Sequence, residues 1–328
     1  MQRRALTTMR MTMTIGRVQQ EQVRALVRSG SDPVLWVLAA LAATALALLS
    51  AACGGHPAAV GADERLQPPP PEAMVLKSLL VAPAGSGLDL TGDGRPDNVL
   101  AFTGEMLNVG LGVTIVSGGV ILLLKAVGLR EPDVGEIRLG WARGIDPDAS
   151  PDPASYFSGK KTFWLLPADT DERGEPKVGF AAKVAGDRLD ARTDVNLQLG
   201  SGAAGAGRIA VKRLTVAARI GVGRDRLEHG LLCGAVPTAV LAAFPSPDRQ
   251  GSLLDYVAVT RGVQPDVDLD GDGLETLLDQ DADGLVDACK DGDGASIAFF
   301  SGVKDPHIAD GFSVCVQFET VPARIAKP

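Results

Sequence analysis

The middle of the chain alternates apolar and polar residues with a period of two, and this pattern constrains the fold more than any other feature. Apolar side chains occupy every second position in residues 137–141, 195–199 and 214–222. A period of two buries one face of a strand and leaves the other toward solvent. The apolar runs FWLLP and VGFAAKVAG predict two further strands, and the segments rich in Asp, Pro and Gly between them predict turns. We therefore expect a largely antiparallel sheet.

One stretch in the first half has helical spacing instead. Apolar residues recur there at intervals of three and four, at Val99, Phe102, Met106, Val109, Val113 and Val116. This is the period of one helix face, so we expect a helix that packs these residues inward and stops at Gly118 and Gly119. VILLLKAV then predicts a buried strand, VPTAVLAAF and SLLDYVAVT predict helices, and ASIAFFSGV and FSVCVQFETV predict the last strands. Together the patterns predict one α+β domain over residues 75–328, mostly antiparallel and sandwich-like, with a few helices.

Residues 266–294 concentrate the negative charge of the chain. They contain eleven acidic side chains and one lysine, whereas the net charge of the whole chain is −8. Carboxylates packed this closely repel one another unless a cation neutralises them. The rest of the chain has no dense basic patch, and aromatic residues make up only 4% of it, which argues against nucleic acid as a partner.

The aspartates of this segment are spaced like the ligands of an EF-hand calcium loop. Such a loop supplies side-chain oxygens at positions 1, 3, 5, 9 and 12, glycine at position 6 and a backbone carbonyl at position 7. Loop 2, residues 268–279, matches with Asp268, Asp270, Asp272, Gly273, the carbonyl of Leu274, Thr276 and Asp279. Loop 3, residues 279–293, matches with Asp279, Asp281, Asp283, Gly284, the carbonyl of Leu285 and Asp287. We expect Asp279 to serve both loops and, because Lys290 stands at position 12 of loop 3, Asp291 or Asp293 to supply the last ligand there.

Loop 1, residues 89–100, is an earlier match to the same pattern. Its expected ligands are Asp89, Thr91, Asp93, the carbonyl of Arg95 and Asp97, with Gly94 at position 6. Leu100 at position 12 is not a ligand, so we expect weak binding with Kd on the order of 10⁻⁴ to 10⁻³ M. Aspartates and glycines also make ordinary solvated turns, but two tandem copies favour calcium, and six or seven oxygens suit calcium better than magnesium.

The tandem spacing of loops 2 and 3 resembles the thrombospondin type 3 repeat. In such repeats each loop wraps ions with little regular structure, and a cysteine often follows, as Cys289 does in DGLVDAC. The resemblance covers about thirty residues and implies structural calcium. It does not imply adhesion.

The first 53 residues predict an export signal. Residues 34–49, VLWVLAALAATALALL, form an uninterrupted apolar run after Arg24 and Arg28. Ser50-Ala51-Ala52-Cys53 resembles the bacterial lipobox, which implies lipidation of Cys53 and an anchor in the cell envelope, at the outer membrane. The alternative is an uncleaved membrane helix, since residues 34–52 approach the ~20 needed to cross a bilayer. Residues before about 27 suggest a misassigned start codon, and residues 54–74, rich in Pro, Gly and Ala, predict an extended tether.

The cysteines agree with an oxidising compartment outside the cytoplasm. With Cys53 lipidated, Cys233, Cys289 and Cys315 remain, which allows one disulfide and one thiol. We predict the pair Cys233–Cys289. Cys315 is the alternative partner, because it lies on the face of its strand opposite to Phe312, Val314, Val316 and Phe318.

Catalytic motifs are absent from the sequence. It contains no G-x-S-x-G, no H-E-x-x-H and no Walker loop, and GSGAAG at 200–205 precedes a strand pattern instead of the helix that a dinucleotide site needs. A calcium-stabilised secreted hydrolase is still an alternative, and it would need Asp146, Asp148, Asp152 and His307 to meet in space. A carbohydrate-binding or adhesion module ranks third, because Trp141 and Trp164 lie in strand patterns that indicate core positions.

Several segments together resemble an uncharacterised family of predicted bacterial lipoproteins. They are the lipobox, DLTGDGRPDN followed by GGVILLLKA, LLCGAVPTAVLA and PDVDLDGDG. The resemblance spans most of the chain after Cys53 and implies localisation and calcium loops, but no catalytic residues. We therefore expect a calcium-binding, lipid-anchored envelope protein, not an enzyme, whose role is structural or is to bind a protein or glycan.

Overall fold

The computed structural model describes residues 73–131, 135–148, 152–194, 197–199, 209–246, 251–290, 296–298 and 310–326. The strands are β1 (Ala73–Val81), β2 (Leu122–Val127), β3 (Glu136–Ile145), β4 (Thr162–Leu165), β5 (Val178–Ala185), β6 (Arg188–Thr193), β7 (Leu197–Leu199), β8 (Ile209–Ile220), β9 (Leu227–Pro237), β10 (Thr276–Leu278), β11 (Ala288–Lys290), β12 (Ser296–Ala298) and β13 (Gly311–Ala326). The helices are α1 (Gly104–Val116), α2 (Thr238–Ala242) and α3 (Leu253–Asp255). Short 3-10 helices lie at Val99–Thr103, Pro153–Ser155 and Pro167–Asp169, and a π-helical turn at Tyr256–Thr260 continues α3.

Eight strands close into an antiparallel barrel in the order β1, β2, β3, β5, β6, β8, β9, β13 and back to β1. β1 pairs with β2 on one side and with β13 on the other. The eight strands therefore form a closed ring that has no open edge. The domain is thus mostly antiparallel sheet with few helices, as predicted, but the main sheet closes on itself where we expected a sandwich. β4 adds a parallel pairing to the end of β13, and β7 pairs with β8.

The interior of this barrel is a packed core. Its side chains include Leu139, Leu227 and Phe318, each 2% exposed or less, and the void among them is about 10 Å³. That volume is at the lower limit for one water molecule. Gly230 makes room for this packing, because a Cβ there would lie 2.3 Å from Cζ of Phe318. Eight strands enclose just enough space for side chains, so the described interior holds no ligand.

The predicted helix is present, but it packs with a different face. α1 ends at Val116, before the two glycines, as expected. Its inner stripe contains Asn108 and the buried Ile115, and Asn108 is fixed by hydrogen bonds from Val81 N (2.6 Å) and to Val81 O (3.1 Å). Val109 and Val113, predicted to face inward, are 58% and 50% exposed. The amide of Asn108 is satisfied by β1, so a polar residue takes the inner position that apolar periodicity assigned to valines.

Loops 2 and 3 lie outside the barrel, next to a small sheet of β10, β11 and β12. β1 begins at Ala73, two residues before the predicted domain boundary. The predicted signal and lipobox at residues 1–53 and the predicted tether up to residue 72 lie outside the described residues, as do Asp291, Asp293 and His307, whereas Ala73 and Met74, also predicted as tether, begin β1. Among the residues that are described, no helix is long and apolar enough to cross a membrane.

Candidate metal centres

The three loops share one backbone scaffold. In each of them the carboxylate at position 1 accepts a hydrogen bond from the glycine N–H at position 6. The pairs are Asp89 with Gly94 (3.0 Å), Asp268 with Gly273 (3.2 Å) and Asp279 with Gly284 (3.0 Å). These glycines have φ of +82°, +106° and +91°, a conformation that other residues rarely adopt. The spacing read from the sequence therefore corresponds to three similar turns.

A second carboxylate closes loops 1 and 3 from position 9. Asp97 accepts a hydrogen bond from the N–H at position 2 of loop 1, Leu90 (2.6 Å), and Asp287 accepts one from the equivalent Gln280 (3.0 Å). Loop 2 has Thr276 at position 9. There the N–H at position 2, that of Leu269, donates to Asp310 (3.1 Å).

Asp310 was not among the predicted ligands, because it lies 31 residues beyond the end of loop 2, immediately before β13. Its second carboxylate oxygen accepts a hydrogen bond from Glu275 N (2.7 Å). The side chain therefore fills in space the role that position 9 fills in the other loops. No motif spacing could reveal it, since the residue reaches loop 2 only through the tertiary fold.

Two groups of three carboxylates converge in the described residues. One consists of Asp268, Asp270 and Asp310, and the other of Asp279, Asp281 and Asp287. Within each group the carboxylate oxygens lie within 4.8 Å of one another. They come from positions 1, 3 and 9, with Asp310 replacing position 9 in loop 2. Converging carboxylate oxygens are the ligands that calcium and magnesium prefer, so either group could hold a metal ion.

Asp279 belongs to the loop 3 group alone. We predicted that it would also complete loop 2, and this remains a prediction; in the structure β10 lies between Asp279 and the first turn of loop 2, and Asp310 joins Asp268 and Asp270. The two groups therefore share no carboxylate. They are separate candidate centres.

Loop 1 has the same scaffold but lacks the third carboxylate. Thr91 occupies position 3, so only Asp89 and Asp97 stand at the positions that converge in the other loops. Hydrogen bonds from Gly92 N and Gly94 N lower the pKa of Asp89. Arg192 on β6 donates a hydrogen bond to Leu90 O (2.9 Å), which attaches the loop to the barrel. Loop 1 is thus the least charged of the three candidates.

The carboxylates at position 5 form hydrogen bonds within the loops. Asp93 and Asp283 each accept a hydrogen bond from the N–H at position 7, at 2.8 Å from Arg95 N and Leu285 N. Asp272 lies against Asp270, and a hydrogen bond between the two carboxyl groups raises the pKa of Asp272. None of the three belongs to a converging group. They remain predicted ligands, as do Thr276 and the carbonyls of Arg95, Leu274 and Leu285.

The loop 2 group combines burial with like charge. Asp310 is fully buried, and burial, followed by repulsion from Asp268 and Asp270, raises its pKa. No ion pair among the described residues involves a carboxylate of either group. Buried carboxylates without a cation are costly, so this cluster favours a bound metal ion.

Loops 1 and 2 meet at a disulfide. Cys233 on β9 and Cys315 on β13 are directly paired in the sheet register, with Cα atoms 4.1 Å apart, and they are bonded. The prediction Cys233–Cys289 is wrong, because Cys289 lies on β11 in the small sheet, where its thiol is buried. Leu90 and Leu269, the position 2 residues of loops 1 and 2, pack in the cluster that surrounds the disulfide. Loops 1 and 2, which are far apart in sequence, therefore lie together on one face of the barrel.

Loop 3 is attached to the domain through α3. Asp255 accepts hydrogen bonds from Ser252 N and Oγ, both at 2.6 Å, and with its other oxygen from Val286 N in loop 3 (2.8 Å). The carboxylate is 9% exposed. One buried side chain therefore caps a helix and holds a candidate metal loop.

The acids of the hydrolase alternative meet only in part. Asp146 and Asp148 both form ion pairs with Nζ of Lys161, which is 10% exposed. Burial, and then a hydrogen bond to Asp146, raises the pKa of Tyr156 in the same cluster. Asp152 caps the nearby 3-10 turn by accepting from Ala154 N (3.1 Å). Lys161 joins Asp146 and Asp148 in one ion-pair cluster, and His307 lies outside the described residues, so the structure does not bring the four residues together.

The two tryptophans of the carbohydrate-binding alternative differ in exposure. Trp141 on β3 is a core residue with 6% exposure, as predicted, whereas Trp164 on β4 is half-buried. Tyr156 is also buried. No aromatic platform for a sugar is formed by these three rings.

A surface cleft of about 450 Å³ lies on the outer side of β6, β8 and β9. Asp187 and Arg219 in its lining form an ion pair at 2.9 Å, and both side chains are more than half exposed. His229 also lines it. Solvated, paired charges of this kind do not indicate a catalytic centre.

Comparison with protein-family models, with curated proteins and with solved structures finds no match to this chain. Its function is therefore inferred from the chemistry of its own residues.

Proposed function

We propose that the protein binds calcium through loops 2 and 3 and acts at the cell envelope, held there by a lipid on Cys53, in a structural or binding role. The observation that carries the calcium assignment is the delivery of the buried Asp310 from the start of β13 to Asp268 and Asp270. A remote carboxylate that replaces a missing loop ligand supports a metal site more strongly than the acidity of the loop alone.

Calcium suits the donor set better than magnesium. Each loop offers carboxylates and backbone carbonyls in a flexible turn, and calcium accepts six to eight such oxygens in irregular geometry, whereas magnesium demands a near-ideal octahedron. An ion among Asp268, Asp270 and Asp310 joins the acidic segment to β13. Its role is therefore to fix the segment 266–290 on the barrel, and loop 3 has the same role next to α3.

The envelope assignment rests on the sequence resemblance of residues 50–53 to a lipobox and on the tether that follows. The disulfide Cys233–Cys315 supports it, because stable disulfides belong mainly to oxidising compartments. Calcium sites with Kd near 10⁻⁴ to 10⁻³ M are typical of extracellular modules.

A thermal melting series tests the calcium assignment. Full-length protein is stripped with a chelator and melted with calcium, with magnesium at the same concentration, and with neither. We expect calcium to raise the melting midpoint by a larger amount than magnesium does. Identical midpoints in calcium and chelator would refute the calcium assignment, and mass analysis of the N-terminal peptide tests the lipid on Cys53 independently.

A further inference from the structure

α1 carries an apolar face that nothing in the described structure covers. Val109, Val113 and Val116, spaced i, i+4 and i+7 along this face, are 58%, 50% and 61% exposed. The helix, GEMLNVGLGVTIV, has one charged residue, Glu105 in its first turn, and no basic residue. Glu105 lies one turn before Val109 on the same side, so the apolar stripe is confined to the C-terminal two turns of α1. An exposed apolar stripe of this kind is normally covered by a partner.

We propose that this face lies on the surface of a lipid bilayer. The proposal builds on the lipid anchor of the proposed function, since an anchored domain is always close to a membrane. The chain enters the described structure at Ala73, the first residue of β1, and α1 is fixed to the other end of that strand through Asn108 and Val81. From Cys53 to Ala73 the chain can span at most about 70 Å, which is enough for α1 to reach the membrane that holds the anchor.

The size of the face distinguishes a membrane from a second copy of the chain. Three side chains on about two turns of helix offer roughly a few hundred Å² of apolar surface. A stable dimer buries about 1,200–2,000 Å² summed over both partners, more than two such faces together provide, so this face is too small to hold two copies together. A bilayer contact needs much less intrinsic affinity, because the anchor supplies an effective concentration on the order of millimolar.

The charge of the face indicates how it binds. Peripheral helices that use anionic lipids carry Lys and Arg around the apolar stripe, and α1 has none. Contact is therefore driven by the burial of valine side chains, and it is independent of anionic lipid and of salt.

A site-specific fluorescent probe tests the contact. An environment-sensitive dye is attached to Val113→Cys in the full chain, and the control carries the same dye at Val222→Cys, in a turn where the side chain is 99% exposed. Labelling of the unsubstituted chain serves as the blank, because Cys53 carries the lipid, Cys289 is buried, and Cys233 and Cys315 are bonded. Lipidated full-length proteins, in which the lipid on Cys53 has been verified by the mass of the N-terminal peptide, are bound to phosphatidylcholine vesicles with calcium present.

We expect the dye at position 113 to gain intensity severalfold, to shift to the blue and to be quenched by brominated lipid, whereas the dye at 222 does not change. The response should persist in high salt and should be lost when Val109→Asn and Val116→Asn are added. Equal responses at 113 and 222, no response at 113, or a response at 113 that needs protein concentration but no lipid would overturn the proposal. The last of these outcomes would identify a second copy as the partner. Absence of the lipid in the mass analysis would refute both the anchor and this contact, whereas a verified lipid without a response at position 113 would overturn the contact alone. The melting series tests the calcium assignment separately.

Discussion

Replacement of Asp310 by asparagine separates its role as a metal ligand from its role as a hydrogen-bond acceptor. The carboxylate accepts hydrogen bonds from Leu269 N and Glu275 N whether or not an ion is present. Asparagine keeps one acceptor oxygen, and loss of the other bond costs about 1.5–3 kcal/mol. This cost is offset in part in the metal-free protein, because repulsion from Asp268 and Asp270 disappears. The informative quantity is therefore the increase in stability on adding calcium, not the stability itself.

The expected size of that increase follows from two independent sites. Calcium at ten times Kd stabilises the folded state by about 1.4 kcal/mol per site, or about 2.8 kcal/mol for loops 2 and 3 together. For a domain of this size 1 kcal/mol corresponds to about 2–4 °C in melting temperature. Calcium should thus raise the melting temperature of the unsubstituted protein by about 6–11 °C, and that of Asp310→Asn by about half as much.

The assay is differential scanning fluorimetry with and without chelator, and Asp187→Asn is the control. Asp187 is an exposed aspartate far from the loops in sequence, ion-paired with Arg219. Its replacement should leave the calcium-induced rise unchanged. A rise in Asp310→Asn equal to that of the unsubstituted protein would refute Asp310 as a ligand.

Three further changes test other contacts. Asp279→Asn should remove the remaining half of the calcium-induced rise, and its effect should add to that of Asp310→Asn to within about 0.5 kcal/mol, because the two groups share no carboxylate. Replacement of both Cys233 and Cys315 by alanine should lower the free energy of unfolding in urea by about 4–5 kcal/mol, since the bond closes a loop with a sequence separation of 82. Gly230→Val should cost at least about 1–3 kcal/mol, because its Cβ would meet the ring of Phe318, whereas Gly112→Ala on α1 has open space and should gain up to about 1 kcal/mol.

Each of these expectations has a result that contradicts it. If Asp279→Asn alone removed the whole calcium-induced rise in melting temperature, Asp279 would be a ligand in both sites, as the sequence predicted. If removal of the disulfide left the free energy of unfolding in urea unchanged, loops 1 and 2 would pack stably without it. If Gly230→Val were as stable as Gly112→Ala, the side chains in the barrel interior would rearrange around the added valine at little cost in free energy.

Strands with one buried face could be predicted from the sequence, and strands buried on both faces could not. β3, β5 and β8 alternate and were expected. β9 was missed, since residues 232–237 are buried without alternation between the disulfide cluster and the barrel core. Gly230 and Gly234 further weakened the sequence pattern of this strand. Both positions need glycine, because a Cβ there would clash with Phe318 and Val211.

Closure of the sheet and completion of the loop 2 site escaped prediction for a common reason. Both depend on partners far apart in sequence: Val75 pairs with Val321, and Asp268 converges with Asp310. Loop scaffolds were predictable, because the positions of glycine and the first aspartate are set within a few residues. The inner face of α1 was mispredicted since Asn108, a polar residue, finds its partners on β1.

The pairing of the first strand with the last also decides when the domain can form. A chain that emerges from the ribosome N-terminus first holds β1 without its β13 neighbour until almost the whole polypeptide has been made. Contacts of such long sequence separation make folding slow. Until β13 arrives, Asp310 is missing from loop 2 and Cys315 from the disulfide, so the metal centre, the covalent bond and the barrel are all completed by the same late segment.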